Sequence, residues 1–160
     1  MSEQPRVRRT RRGAFELHLP GEERALLRGL PGQLRELLDS DDPTLRRLFP
    51  PAYADDPDRE AEYRRMVRDD LLAGKREALR IIEETVDARR VDEDQLTAWL
   101  GALNDLRLVL GTRLDVTEEL YEEGLPEDDP RAPAFAVYAY LGWLQEQVVA
   151  ALAQSLETGT

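Results

Sequence analysis

The sequence predicts a mainly α-helical protein, a bundle of about five helices with a small β-hairpin at its N-terminus. Two observations favour the helices. Leucines recur at the three- and four-residue spacing of an amphipathic helix, and polar residues suited to capping precede several of these stretches. A third observation indicates the hairpin, because Phe15, Leu17 and Leu19 alternate with polar residues as in a half-buried strand. Helices packed on one another would bury the leucine faces.

Turn and cap residues place the elements of the N-terminal half. Arg12-Gly13 supplies the hairpin turn, so residues 1–12 form either the first strand or a basic arm. The helix that follows carries its leucine stripe through Pro31, where we expect a kink or a break. Residues 39–58 are expected to form a packed loop, which contains a short helix capped by Asp42.

Cap residues also place the elements of the C-terminal half. A long helix is expected over about residues 59–88, and the charged segment RRVDED ends it. Asp92, with Gln95 three residues later, has the spacing of a capping box and opens a helix that should end near Gly111. A short helix and a loop follow, and a final apolar helix is expected to extend to about residue 156.

The composition is that of one charged globular domain. Hydrophobic residues make up 41% and charged residues 34% of the 160 residues, which is enough apolar material for a core. We therefore expect a single domain over residues 1–160, with a disordered tail at 157–160. The chain contains no cysteine, which excludes disulfides and thiolate chemistry. No apolar stretch of a signal peptide or membrane span is present, so a cytoplasmic protein is expected.

An arginine interrupts the leucine stripe of the helix that follows RRVDED. At about 100° per residue, Arg107 falls on the apolar face and Asn104 lies along its edge, whereas Asp105 points to solvent. Arginine stays protonated in proteins, so a buried guanidinium needs a carboxylate or carbonyl partner. On the long helix, Asp70 falls on the expected inner face and Glu77 on its margin. We therefore predict an Arg107–Asp70 pair, with Glu77 and Asn104 as secondary partners.

Three roles for Arg107 remain open at this point. It forms a buried ion pair that sets helix register, it lines a polar pocket that binds an anion or a partner's side chain, or it reaches water along its stem. The expected inner face of the long helix comprises Tyr63, Met66, Val67, Leu71, Gly74, Ala78 and Ile81.

Patterns of catalytic residues are scarce. The single histidine, His18, lies in the predicted strand and should face solvent, which excludes the usual two-histidine metal sites. No glycine-rich phosphate loop is present. Close acidic pairs occur, but 33 acidic residues produce such pairs by chance. We expect no enzyme activity, no metal and no cofactor.

The charge distribution and the last helix suggest binding hypotheses. A net charge of −11 opposes nucleic-acid binding, yet a basic N-terminal arm could contact phosphates weakly; the alternative is a hairpin with exposed arginines. The last helix is apolar on several faces, so it is either central to the bundle or forms a homodimer contact through Trp143, Phe135 and Tyr138. The arginines of the arm are Arg6, Arg8, Arg9, Arg11 and Arg12.

Three stretches resemble a known family: DPTLRRLFPPAY at residues 42–53, DDL at 69–71 and, most specifically, WLGALNDLRLVLGTRLDV at 99–116. Over nearly its whole length the chain resembles an actinobacterial domain-of-unknown-function family that includes AosR, the actinomycete oxidative stress regulator. The resemblance implies a cytoplasmic helical regulator of transcription under oxidative stress. Such a regulator would act through an extracytoplasmic-type sigma factor at the promoters of a cysteine-biosynthesis cluster. A gene neighbourhood shared with the Clp adaptor ClpS implies, as the alternative, a link to proteolysis.

The resemblance also implies thiol-based sensing, which needs a cysteine pair that this chain lacks. This member therefore senses nothing itself, acts as a constitutive partner, or has another role. Met66, the only internal methionine, is expected to be buried and a poor sensor. We predict a non-enzymatic regulator that contacts a sigma factor or RNA polymerase. Clp-linked proteolysis, or DNA binding through the arginine arm, is the alternative.

Overall fold

The protein's structure, a computed structural model, describes residues 5–40 and 42–158. Within these residues it contains five α-helices, one 3₁₀ helix and a small antiparallel sheet, which confirms the predicted fold class. The elements in chain order are β1 (Val7–Arg9), β2 (Phe15–Leu17), α1 (Gly21–Leu38), a 3₁₀ helix (Pro43–Arg47), α2 (Pro57–Thr85), β3 (Arg90–Val91), α3 (Glu93–Leu114), α4 (Glu118–Glu123) and α5 (Ala132–Thr158).

Both ends of the chain extend past the described residues. Residues 1–4 of the predicted arm and residues 159 and 160 of the predicted tail lie outside them. Residues 157 and 158, which were expected in the tail, continue α5. No helix within residues 5–40 and 42–158 is long and apolar enough to cross a membrane.

The N-terminal sheet has three strands in the order β1-β2-β3, one more than the predicted hairpin. The Thr10 N–H donates to the Ala14 carbonyl at 2.8 Å, and Gly13 closes the turn with a φ of 79°. β3 pairs antiparallel with β2, with Val91 opposite Phe15. β3 was not predicted, because a strand of two residues is too short to show alternation. The sheet therefore joins the N-terminus to the connection between α2 and α3.

The capping predictions hold at the atomic level. The Asp42 carboxylate accepts from the Thr44 N–H at 2.8 Å. Asp92 and Gln95 form the reciprocal capping box, with N–H to oxygen distances of 2.7 and 2.9 Å. α3 continues three residues past the expected end and stops where Asp115 takes the left-handed conformation, with a φ of 53°. These contacts span at most a few residues, so the local sequence determines them.

The expected break in α1 does not occur. The helix runs without interruption from Gly21 to Leu38, with Pro31 buried inside it. Proline removes one N–H donor and crowds the preceding turn. Pro31 shares its buried face with Leu27 and Leu34, and burial of this apolar stripe keeps the helix in place despite that cost.

α3 lies at the centre of the bundle. It packs most extensively against α5 and α2, and it also contacts the 3₁₀ helix and α1. α5 contributes a buried stripe that includes Leu141, Leu144 and Val148. β1 covers part of α5, so the sheet and the bundle share one core.

The predicted inner face of α2 is correct only in part: Tyr63, Val67, Ala78 and Ile81 are half-buried, and Ala78 and Ile81 pack against the core. Met66 is 71% exposed, and Leu71 and Gly74 are also exposed, whereas the buried residues of α2 are Leu79, Ile82 and Thr85. The fully buried residues of this long helix all lie in its C-terminal part. The periodicity of an apolar stripe indicates a helix, but it does not indicate where the covering elements end.

A buried hydrogen bond joins the end of α2 to α3. The indole Nε1 of Trp99, which is 1% exposed, donates to the Thr85 hydroxyl at 2.6 Å. That hydroxyl in turn donates to the Ile81 carbonyl at 2.6 Å. Thr85 therefore satisfies the only polar atom of a large core side chain.

Replacing Thr85 with valine should lower the free energy of unfolding by about 1–3 kcal/mol, because the indole N–H stays buried without an acceptor. Urea unfolding followed by circular dichroism measures the change. Thr97→Val is the matched control, since the Thr97 hydroxyl also donates to a carbonyl one turn earlier but is exposed. An equal loss in both variants would contradict the role assigned to Thr85.

Candidate functional site between helices α3 and α5

Arg107 is half-buried on α3, but the predicted pair with Asp70 is wrong. Asp70 is exposed on α2, and Glu77, the predicted secondary partner, forms its ion pair with Arg80 on the same helix. The buried face of α2 is rotated away from the face that contains Asp70. The pair was predicted wrongly because the rotation of α2 about its own axis was wrong. The exposed part of that helix also carries apolar residues, so the sequence did not define which face is buried.

The ion pair that does join α2 to α3 is Lys75–Asp105. The Lys75 Nζ lies 3.1 and 3.3 Å from the two carboxylate oxygens of Asp105. Asp105 was expected in solvent, yet its side chain is only 10% exposed. Burial raises the pKa of Asp105 above its ordinary value, and the Lys75 ammonium offsets part of that rise. Lys75 also lies 5.8 Å from the ring centroid of Phe49, which follows the 3₁₀ helix.

Arg107 turns toward α5 and stacks on an aromatic ring. Its guanidinium carbon lies 5.3 Å from the ring centroid of Tyr138, a distance suited to a cation–π contact. A Cβ added at Gly142 would lie 3.2 Å from the Arg107 Nε, and one added at Gly111 would lie 2.9 Å from a Tyr138 ring carbon. The two glycines thus leave the space that the arginine and the tyrosine occupy between the helices.

Two buried polar atoms beside this stack have no hydrogen-bond partner in the part of the chain that the structure describes: the Nε of Arg107 and the Oε1 of Gln145. The amide nitrogen of Gln145 donates to Asn104 Oδ1 at 3.3 Å. Asn104, the other predicted secondary partner, therefore contacts Gln145 on α5. A buried polar group without a partner costs about 1–3 kcal/mol, so such atoms are rare in folded proteins.

Arg107 and Gln145 line a cleft of about 400 Å³. Tyr121 of α4 stands at one side, where its ring meets Tyr138 edge to face with centroids 6.1 Å apart. Glu146 is exposed at the cleft and is the only acidic residue among the described residues that line it. The lining residues are Arg107, Tyr121, Gly142, Gln145, Glu146, Val149 and Ala150.

The predicted arginine arm is only partly free. Arg6 donates to the Glu23 carboxylate, with Nη2 3.0 Å from Oε2, and it lies 5.1 Å over the Trp143 ring. The Tyr140 hydroxyl donates to the same carboxylate at 2.7 Å. Burial and this anionic neighbour raise the pKa of Tyr140. Arg6 therefore ties the hairpin to α1 and α5 and is not part of a mobile arm.

The remaining predicted binding residues differ in exposure. Arg8, Arg11 and Arg12 are exposed, and Arg9 is half-buried. Trp143, Phe135 and Tyr138, the predicted dimer residues, are half-buried along α5. Trp143 packs beneath Arg6 and Phe135 against Tyr138, so their apolar surface is partly covered within the chain. A dimer through these residues stays a prediction.

The distribution of His, Asp and Glu side chains bears on metal binding. In the described part of the chain, no group of three or more of them is placed to hold a metal ion. His18 is half-buried on the outer side of the sheet with Glu16, as its alternation with the buried Leu17 and Leu19 predicts, and its Nε2 lies 3.0 Å from a carboxylate oxygen of Glu16.

Comparison with known proteins places the chain in a family. The model of the domain of unknown function DUF2017 matches residues 4–152, a range that includes every residue of the cleft. Proteins named oxidative stress regulator AosR, from Mycobacterium bovis and Mycobacterium tuberculosis, are 33% identical to it, over 86% of this chain and 82% of theirs. The putative oxidative stress regulator AosR of Mycobacterium leprae is 35% identical over 70% of this chain and 59% of its own.

No solved structure shows a significant match to the chain. The sequence resemblance noted above, which was most specific around Arg107, is confirmed by the family model and by these relatives. The chain belongs to the DUF2017 family, and the Arg107 cleft lies within the domain that defines it.

Proposed function

We propose that this protein is a non-enzymatic regulator of the response to oxidative stress. It acts in the cytoplasm by binding a component of the transcription machinery, a sigma factor or RNA polymerase. The observation that carries the proposal is its similarity, over 86% of the chain, to relatives named oxidative stress regulator. Binding rather than catalysis fits a chain without cysteine and with a single histidine, since nucleophilic and acid–base catalysis most often use these residues.

The N-terminal half of α2 provides a surface suited to a protein partner. Exposed apolar side chains lie here among charged ones: Met66 is 71% exposed, Tyr53 41% and Leu71 39%. A groove of about 370 Å³ runs between Tyr53, Tyr63 and Met66. Exposed apolar patches with a charged rim are typical of protein–protein contacts. The net charge of −11 favours a partner with a basic surface.

The same surface contains the only internal sulfur of the chain. Met66 was expected to be buried, and that expectation is wrong. An exposed thioether is open to oxidation to the sulfoxide, which would place a polar group in the apolar patch. Because the chain lacks cysteine, Met66 is the side chain through which peroxide could alter this surface.

A pull-down from the native cytoplasm, analysed by mass spectrometry, tests the proposal. The tagged protein should enrich a sigma factor or polymerase subunits, and the double variant Met66→Glu, Leu71→Glu should lose them. Leu156→Glu is the matched control, because Leu156 is 78% exposed but lies at the far end of α5. A wild-type sample without any transcription component would contradict the proposal.

Direct DNA binding is the second candidate, and the exposure of Arg8, Arg11 and Arg12 on the hairpin favours it. An electrophoretic mobility shift at low salt distinguishes it from the first. The shift should disappear when these three arginines become alanine, and it should weaken steeply with salt. Absence of any shift by the wild-type protein at low salt would exclude this candidate.

A further inference from the structure

The Arg107 cleft holds a cation without a counter-ion. The guanidinium stacks on the Tyr138 ring, and the side chain packs against Gly142. Among the described residues it forms no ion pair. Other arginines of the chain, such as Arg6 and Arg28, do pair with carboxylates. The chain contains 33 acidic and 22 basic residues, so a shortage of acids does not explain the difference. An unpaired guanidinium in a cleft is suited to binding a carboxylate.

The cleft also offers an acceptor that lacks a donor. The Gln145 Oε1 is buried without a partner, as is the Arg107 Nε. Gln145 and Arg107 both line the cleft, and their two unpartnered atoms are buried beside it. A molecule that satisfies both must carry a negatively charged acceptor for Arg107 and a hydrogen-bond donor for Gln145.

The charge of the remaining lining residues specifies the donor. Glu146 lines the same cleft and supplies a carboxylate there. A positively charged donor is therefore favoured over a neutral one. Val149 and Ala150 add apolar surface, and a volume of about 400 Å³ fits a small molecule. Arg107 and Glu146 thus resemble the two ends of a site for a zwitterion.

We propose that the Arg107 cleft binds a small zwitterionic α-amino acid with an apolar side chain. The carboxylate accepts from the Arg107 guanidinium. The ammonium donates to Gln145 Oε1 and faces Glu146, and the apolar side chain packs toward Val149 and Ala150. This assignment goes beyond the proposed regulatory function and does not depend on it.

Isothermal titration calorimetry of the purified protein with three matched probes tests the site. L-Valine carries both charged groups, 3-methylbutanoate lacks the ammonium, and 2-methylpropylamine lacks the carboxylate. L-Valine should bind saturably, and each analogue should bind about tenfold more weakly or worse, since each loses a charge-assisted contact. Thermal unfolding should show the same order, because a ligand that binds only the folded state raises the Tm.

Variants assign the binding to this cleft. Arg107→Met should weaken L-valine binding by about tenfold or more. Glu146→Lys should weaken it by about fivefold or more, and it changes an exposed residue, so it serves even if Arg107→Met does not fold. Arg113→Met is the control and should leave binding unchanged, because Arg113 is on the same helix but outside the cleft.

Three results would overturn the proposal. The first is the absence of saturable L-valine binding by the wild-type protein up to about 50 mM, a concentration that would detect even weak sites. The second is unchanged binding by a folded Arg107→Met or by Glu146→Lys. The third is 3-methylbutanoate binding as tightly as L-valine, which would indicate a site for simple carboxylates. None of these results affects the interpretation of the pull-down. The binding-site proposal and the regulatory proposal can therefore be refuted independently.

Discussion

Replacing Lys75 with methionine should lower the free energy of unfolding at neutral pH by about 3 kcal/mol, because breaking a buried pair leaves an uncompensated charge. The carboxylate left behind is that of Asp105, whose side chain is 10% exposed. In the wild-type protein Lys75 Nζ donates to both of its oxygens, at 3.1 and 3.3 Å. Methionine has a similar apolar length, so the packing of the stem is kept while the charge is lost. Urea unfolding measures the change.

The stability lost in Lys75→Met should depend on pH, and the pKa of Asp105 determines the direction of that dependence. Burial already raises the pKa of this carboxyl in the folded protein, and removal of Lys75 should raise it further. A folded-state pKa above the unfolded value means that the folded state binds more protons in the interval between the two. Stability therefore falls as the pH rises through that interval. The effect of Lys75→Met should be smallest in acid, where Asp105 is protonated.

Two further variants separate this pair from a general effect of charge. In an Asp105→Asn background the Lys75→Met change should cost much less, because no buried carboxylate remains. Arg76→Met is the control on the same helix, since Arg76 pairs with Asp39 at the surface, and such exposed pairs contribute about 0–1 kcal/mol. Equal losses for Lys75→Met and Arg76→Met, or a loss independent of pH, would contradict the argument.

Replacing Arg24 with methionine should lower the free energy of unfolding by about 2–4 kcal/mol, because hydrogen bonds to a charged donor are among the stronger ones in proteins. Arg24 of α1 donates to four backbone carbonyls. Its Nε lies 3.0 Å from the Leu19 oxygen, Nη2 lies 3.3 Å from that of Leu17, and Nη1 contacts those of Val86 and Ala88. One guanidinium thus joins α1, the end of β2 and the end of α2.

The position of these carbonyls explains the size of the effect. Val86 follows the last residue of α2, where helix carbonyls lack an intrahelical donor and the helix dipole favours a cation. Methionine offers no donor to any of the four groups. Arg28→Met is the control one turn along α1, since within the described part of the chain Arg28 forms its ion pair with the exposed Asp87. If both variants unfolded at the same urea concentration, the structural role of Arg24 would be refuted.

The candidate site shows how far single side chains can be predicted. Helical spacing placed Arg107 correctly on a face of α3 that meets other helices, and the residues around it identified the family. The predicted partner of Arg107 was wrong, since Arg107 stacks on Tyr138 and Asp70 is exposed. Gln145 was missed altogether, because a glutamine in an apolar helix has no sequence signal until the facing helix is known.

Local chemistry in the sequence was sufficient for the helices, the caps at Asp42 and Asp92 and the turn at Gly13, because each depends on atoms within a few residues. Composition alone excluded thiol sensing. Only the tertiary structure showed which face of α2 is covered, which cation pairs with Asp105 and which strand completes the sheet. Contacts between distant segments determine these features, and side-chain periodicity within one helix is compatible with several such contacts. A buried charge takes whichever partner the packing brings within reach, so the cleft around Arg107 is a property of the assembled fold.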